Sequence, residues 1–170
     1  NHLLSLGITS THDAGVDAAN LASYQQLQQQ QQIPLRIYAM LAATDPQLPA
    51  WLKAGPIDDP LDILDVRSVK IYGDGALGSR GAALIDAYSD KAGEKGLLVT
   101  QPDALTELMK MTVQAGFQAN VHAIGDYANK LALDRFEILT NADQRKQGRH
   151  RIEHAQIVAP KDIPRFASLG

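Results

Sequence analysis

Apolar and polar positions along this chain fall into short apolar runs separated by longer amphipathic stretches. The runs at 8–12, 35–41, 68–72, 118–122 and 151–157 are brief and rich in Val, Ile, Leu and Tyr, so each reads as a β-strand. The stretch 17–32 predicts a helix whose Gln-rich half, from Gln25 to Gln32, forms a solvated face. A second helix is expected to start near Thr100, with Thr100 and Asp103 as capping residues and Pro102 in the first turn. Its apolar stripe is Leu105, Leu108, Met109, Thr112 and Ala115, and Gly116 ends it; Met109 and Met111 are expected at or near the core. A third helix over 126–139 turns Leu131, Leu133, Phe136 and Leu139 inward. Residues 160–169 predict a last helix closed by Gly170, and residues 1–6 read as a helix tail closed by Gly7. Segments 45–65, with Pro46, Pro49, Pro56 and Pro60, and 73–98 read as long irregular connections, which are common at active faces.

Strand–helix alternation implies parallel strands joined by right-handed crossovers, hence an α/β fold. An open doubly wound sheet and a (β/α)8 barrel both fit. A complete barrel needs about 250 residues, so 170 residues would hold its middle, roughly strands 2 to 6, as a single incomplete unit spanning 1–170 without the first strand and the last two. Such a piece leaves barrel edges open, which predicts association between copies. A hydrophobic share of 45% is ordinary for a globular protein, and no apolar stretch is long enough to cross a bilayer. A net charge of −3 without a Lys/Arg cluster argues against a nucleic-acid partner. The chain has no cysteine, which excludes disulfides and Cys-based zinc sites but leaves the compartment open, with the cytoplasm favoured.

Gly73-Asp74-Gly75-Ala76-Leu77-Gly78 matches G-x-G-x-x-G directly after a strand. The context of a dinucleotide site fails: no long helix follows, and no acid-terminated strand appears at the expected spacing. The segment reads instead as a glycine-permitted loop that brings backbone and Arg80 near a ligand, with Arg80 suited to an anionic substrate group.

His122 and His154 fall at or near the ends of consecutive strands, where parallel α/β folds place their chemistry. Two imidazoles so placed suit zinc, iron or manganese. Glu153 alternates with His154 and is expected on the opposite face, as a structural acid. His150 is expected at the surface, away from the strand ends, while His12, ending its strand, or Asp13 beside it is expected to line the reactive face. Lys70 is costly in a buried strand unless paired or neutralised. It either pairs with an acid such as Asp74 or carries CO₂ as a carbamate, which presents a carboxylate to a metal.

The run from Val69 to Ala82, the run Asn120-Val121-His122-Ala123-Ile124-Gly125-Asp126, the run His150-Arg151-Ile152-Glu153-His154-Ala155 and the run from Gly7 to Gly15 resemble the amidohydrolase superfamily. The resemblance is to the amidohydrolase-3 group of YtcJ-like and N-substituted formamide deformylase-like proteins, and it covers nearly the whole chain. It implies a central fragment of a metal-dependent hydrolase barrel. It also implies Lys70 as the strand-four lysine, carbamylated in many members, with His122 and His154 as the strand-five and strand-six metal ligands. Catalysis would then rest on Lys70, His122 and His154, with Asp74 and Arg80 shaping the binding of a small-molecule substrate. The implied cofactor is a divalent metal, zinc foremost, as one or two ions. The implied reaction is hydrolysis of C–N bonds in amides, formamides or cyclic amides. The family's His-x-His pair and late Asp have no counterpart here, so the chain by itself is expected to be inactive. A non-catalytic, barrel-derived protein that binds a small molecule or regulates is the alternative.

Overall fold

The computed structural model describes residues 2–170. The predicted helix tail at residues 1–6 appears as α1 (His2–Ser5), with Asn1 outside the described residues. Five parallel strands follow in one sheet, ordered as in the chain: β1 (Ser10–Val16), β2 (Arg36–Ala42), β3 (Leu64–Tyr72), β4 (Gln118–Ala123) and β5 (Arg151–His154).

The sheet is strongly curled. In a flat sheet β1 and β5 would lie roughly 19 Å apart, four strand spacings. Yet Arg151 Nη1 on β5 is 3.1 Å from His12 Nδ1 on β1. The Tyr38 hydroxyl on β2 likewise donates to Gln118 Oε1 on β4 at 3.0 Å, across β3. Curvature of this degree excludes the open doubly wound sheet and makes the architecture part of a (β/α)8 TIM-type barrel.

Alternation along the strands separates two faces. Val69, Ile71, Ala119 and Val121 are fully buried on the convex face, packed with Leu105, Met109, Phe117 and Phe136. The opposite, concave face carries Ser68, Lys70 and Tyr72 of β3, then Gln118, Asn120 and His122 of β4. The register pairs Lys70 with Asn120 and Tyr72 with His122.

The helices after α1 are α2 (Ala18–Gln29), α3 (Leu48–Ala54), α4 (Pro102–Gln114), α5 (Asp126–Leu139), α6 (Ala142–Gly148) and α7 (Ile163–Ser168). Leu21 of α2, Leu48 of α3, Leu105 and Met109 of α4 and Leu131 and Phe136 of α5 join the core on the convex face. Asp17 caps α2 by accepting from Asn20 N. α5 has its predicted bounds and buries Leu131, Leu133 and Phe136. α4 has Pro102 in its first turn as expected, but its N-cap is Gln101, without a side-chain cap. Met109 is fully buried, whereas Met111 is 40% exposed, because two positions further on carries it off the stripe. α3 is the short helical turn of the 45–65 connection, and α6 is a helix that the patterning does not predict. α6 opens with a capping box between Asn141 and Gln144. Among the described residues no helix is long and apolar enough to cross a membrane.

Candidate functional site

Two strand ends differ from expectation, and both differences matter. β1 runs on to Val16, four residues past His12, so His12 lies within the strand rather than at its end. It stacks on Tyr38 at the N-terminal end of the concave face, and Asp13 accepts from Tyr24 of α2. Neither lines the reactive end. β5 stops at His154, because His154 and Ala155 adopt φ of 82° and 46°. That backbone is left-handed and breaks the alternation. Glu153 stays in register with His122 on the concave face, and the His154 ring nonetheless packs edge-on against His122, with centroids 4.6 Å apart at 71°. Glu153 is therefore a site-facing acid, bound to Arg151 at 2.7 Å, and not a residue of the opposite face.

Lys70 is 3% exposed and meets no carboxylate within ion-pair distance among the described residues. Its amine sits 3.6 Å from the centroid of the Tyr72 ring. Burial pushes its pKa down to about 8, against an opposing pull from Glu153. The expected Lys70–Asp74 pairing is absent, because Asp74 is otherwise engaged. Its carboxylate, 1% exposed, accepts from Ala83 N at 2.9 Å, Ile124 N at 2.9 Å and Gly125 N at 2.8 Å. This clamps the loop after β3 to the loop after β4. Gly125 completes the clamp, since a Cβ there would overlap the Ala83 carbonyl. Asn129, fully buried, adds donors to Gly125 O at 2.9 Å and Ile157 O at 3.2 Å, which brings in the loop after β5.

His122 Nε2 lies 3.5 Å from Asp74 Oδ1, yet it is buried with no hydrogen-bond partner. The contact is not an ion pair. Burial first, then the charges of Lys70 and His154, push the His122 pKa down and keep the ring neutral, which is the form that ligates metal.

A divalent cation fits these donors: two neighbouring imidazoles, one of them neutral with a buried unpartnered nitrogen, beside a desolvated amine. Among the described residues no three His, Cys, Asp or Glu side chains gather to hold an ion. The two imidazoles thus fall one short of the three protein ligands of a typical catalytic zinc.

Arg80 stands apart from this group. It lies in the loop after β3 with φ of 57° and makes two bonds to Asp90, at 3.2 and 2.8 Å. An exposed pair of this kind is weak, so the guanidinium can exchange partners. The first helix after Tyr72 in the chain is α4, at Pro102, so no helix opens from the Gly73–Gly78 segment, and the helix N-terminus beside it, that of α5, is taken by the Asp74 carboxylate; the dinucleotide reading lapses. His150 is half-buried, not superficial: it stacks on Phe136 at 5.3 Å and accepts from Ala119 N at 3.1 Å. Sequence reasoning missed Tyr72 and the placement of Glu153. Counting by twos from Lys70, and carrying the register over from His122, finds both.

Known proteins resemble this chain in sequence and in backbone. The chain matches the model of the amidohydrolase family over residues 1–170. It is 40% identical over 101 residues to Protein LONG AFTER FAR-RED 3 of Arabidopsis thaliana, covering 59% of this chain and 17% of that protein. It is 37% identical over 106 residues to the putative amidohydrolase YtcJ of Bacillus subtilis (strain 168), covering 60% and 19%. Among solved structures, an uncharacterized metal-dependent hydrolase from Pyrococcus furiosus superposes with a TM-score of 0.87 at 30% identity, over 99% of this chain and 34% of that one. A second, from Pyrococcus horikoshii OT3, gives 0.86 at 29% identity, over 99% and 33%. The chain thus spans under a fifth of these curated relatives and about a third of the solved structures. Matched from end to end by one family model, and sharing its backbone with two metal-dependent hydrolases, the chain belongs to the amidohydrolase family.

Proposed function

We propose that the protein is a metal-dependent hydrolase of C–N bonds in amides, formamides or cyclic amides, with His122 and His154 as metal ligands. The observation that carries this reading is the buried, unpartnered His122 Nε2 beside the edge-on His154, at the C-terminal strand ends. A divalent ion held there, zinc foremost and one or two in number, would lower the pKa of a coordinated water toward about 7 and polarise a carbonyl.

The chain's own residues prepare that chemistry. A lowered Lys70 pKa leaves more of the amine uncharged near neutral pH. The uncharged amine is the form that takes up CO₂: the nitrogen lone pair attacks carbon, one N–H proton leaves to water, and a carbamate anion remains. This would replace a repelling cation with an anionic oxygen donor able to help hold a metal. Asp74 fixes the loops around the mouth, and Arg80 offers a charge to an anionic part of a small-molecule substrate.

In the full-length protein, His122→Ala or His154→Ala should abolish metal-dependent turnover of an amide panel; unchanged turnover removes the assignment. The 170-residue chain alone, with two imidazoles, should be inactive on the same panel. The second reading is a small-molecule-binding protein without catalysis: among the described residues no three His, Cys, Asp or Glu side chains are placed to hold one ion together. Stoichiometric metal in the purified full-length protein, together with turnover, decides against it.

A further inference from the structure

We propose that Tyr72 is a specificity-determining residue of this mouth, whose free ring face receives the flat apolar part of the substrate next to the scissile group. The proposal rests on the hydrolase reading above.

Tyr72 is the last residue of β3, on the face of Lys70 and in register with His122. The Lys70 amine covers one ring face, 3.6 Å from the centroid. The His122 ring stands beside it, at 5.7 Å and 43°. The hydroxyl end reaches across the mouth to β1, where a Cβ on Gly15 would lie only 3.3 Å from the oxygen. Gly15 also has φ of +97°, a conformation L residues rarely adopt, so close approach and backbone both call for glycine there. Even so, Tyr72 remains 38% exposed. Lys70, itself 3% exposed, contributes cover on one ring face. The result is an aromatic ring neighboured by Lys70, His122 and Gly15 yet still partly open, next to the proposed ligands. A ring so held loses little rotamer freedom when it binds a partner.

The test uses the full-length protein loaded with Co²⁺, whose visible absorption reports occupancy, and two probes, acetohydroxamic and benzohydroxamic acid. Both chelate an ion through the same group, and only the second carries a ring. An aromatic pairing predicts a preference for benzohydroxamate of about three- to tenfold. Tyr72→Phe should keep the preference. Tyr72→Leu should bring it close to unity while Co²⁺ affinity and acetohydroxamate affinity hold. A preference retained in Tyr72→Leu, or equal losses for both probes, overturns the proposal. A parent protein that binds Co²⁺ but does not discriminate sinks the role of Tyr72 alone. A parent that binds no Co²⁺ fails the hydrolase reading and takes this proposal with it.

Discussion

At the N-terminal end of the concave face, His12 stacks on Tyr38 at 4.9 Å and its Nδ1 receives Arg151; at the C-terminal end, His122 packs beside Tyr72 at 5.7 Å and its Nε2 receives nothing. Residue types are nearly the same, and satisfaction differs. Around His12 the polar groups form a closed set, with the Tyr38 hydroxyl on Gln118 and the Gln118 amide on the Arg149 carbonyl. Around His122 a buried ring nitrogen goes without a hydrogen-bond partner, at a desolvation cost of about 1–3 kcal/mol. Barrels keep stability at the first end and chemistry at the second. A cleft of about 520 Å³, lined by His12, Tyr38, Gln118 and Arg151 among others, opens at the N-terminal end, so cleft volume alone would point away from the proposed ligands. One orphan, His150 Nε2, does lie there, but the ring is held by its other nitrogen and by Phe136.

The contrast breaks most sharply in turnover. In the full-length protein, His122→Ala should reduce metal-dependent hydrolysis to background while His12→Ala leaves it intact. Comparable losses from the two would erase the distinction between the ends. Next in size is Asp74→Ala, which strips the acceptor from three backbone N–H groups and should cost about 3 kcal/mol or more in urea unfolding. A cost near that of a surface substitution would mean the mouth loops are held by something else.

A pH effect should follow from burial. His122 and His150 both have folded pKa values below the usual 6.5, each chiefly through burial. Between the folded and unfolded values the unfolded chain binds more protons. Their contribution is therefore complete above about pH 6.5 and is lost as pH falls through the folded values, with a slope of up to about 1.4 kcal/mol per pH unit for each imidazole. Unfolding free energies from pH 8 to 5 should show this decline, and His150→Gln should flatten it. A profile that rises on acidification contradicts the assignment. The smallest effect is expected from Tyr38→Phe, which removes one hydrogen bond at the N-terminal end for about 1 kcal/mol and should leave metal content unchanged.

Short apolar runs made all five strands legible, though not their order in the sheet, and period-3.6 patterning gave α5 its bounds. What escaped was set by contacts distant in sequence or by backbone conformation. Alternation assigned Glu153 and His154 to opposite faces, and only the left-handed φ of His154 reverses that. Asp74 read as a substrate-facing or Lys70-pairing acid because its amide partners lie 9, 50 and 51 residues downstream. His12 was misplaced because β1 continues through Gly15, a residue that ordinarily weakens a strand. α6 did leave a local signal, the Asn141–Gln144 spacing of a capping box, with no apolar stripe to reinforce it.

The clamp from Asp74 to Ala83, Ile124 and Gly125 bears on how such a mouth can be rebuilt. Loops on barrels are usually regarded as interchangeable parts, each fitted to its own strand. Here the segment after β3 and the segment after β4 are one part made of two pieces of chain: the first supplies the acid and the Ala83 amide, the second a glycine and two more amides. A transplant of either alone would leave the acid short of two donors, or two donors without an acid. Grafting a new mouth onto this scaffold would mean moving residues 73–125 as a single cassette, β4 included.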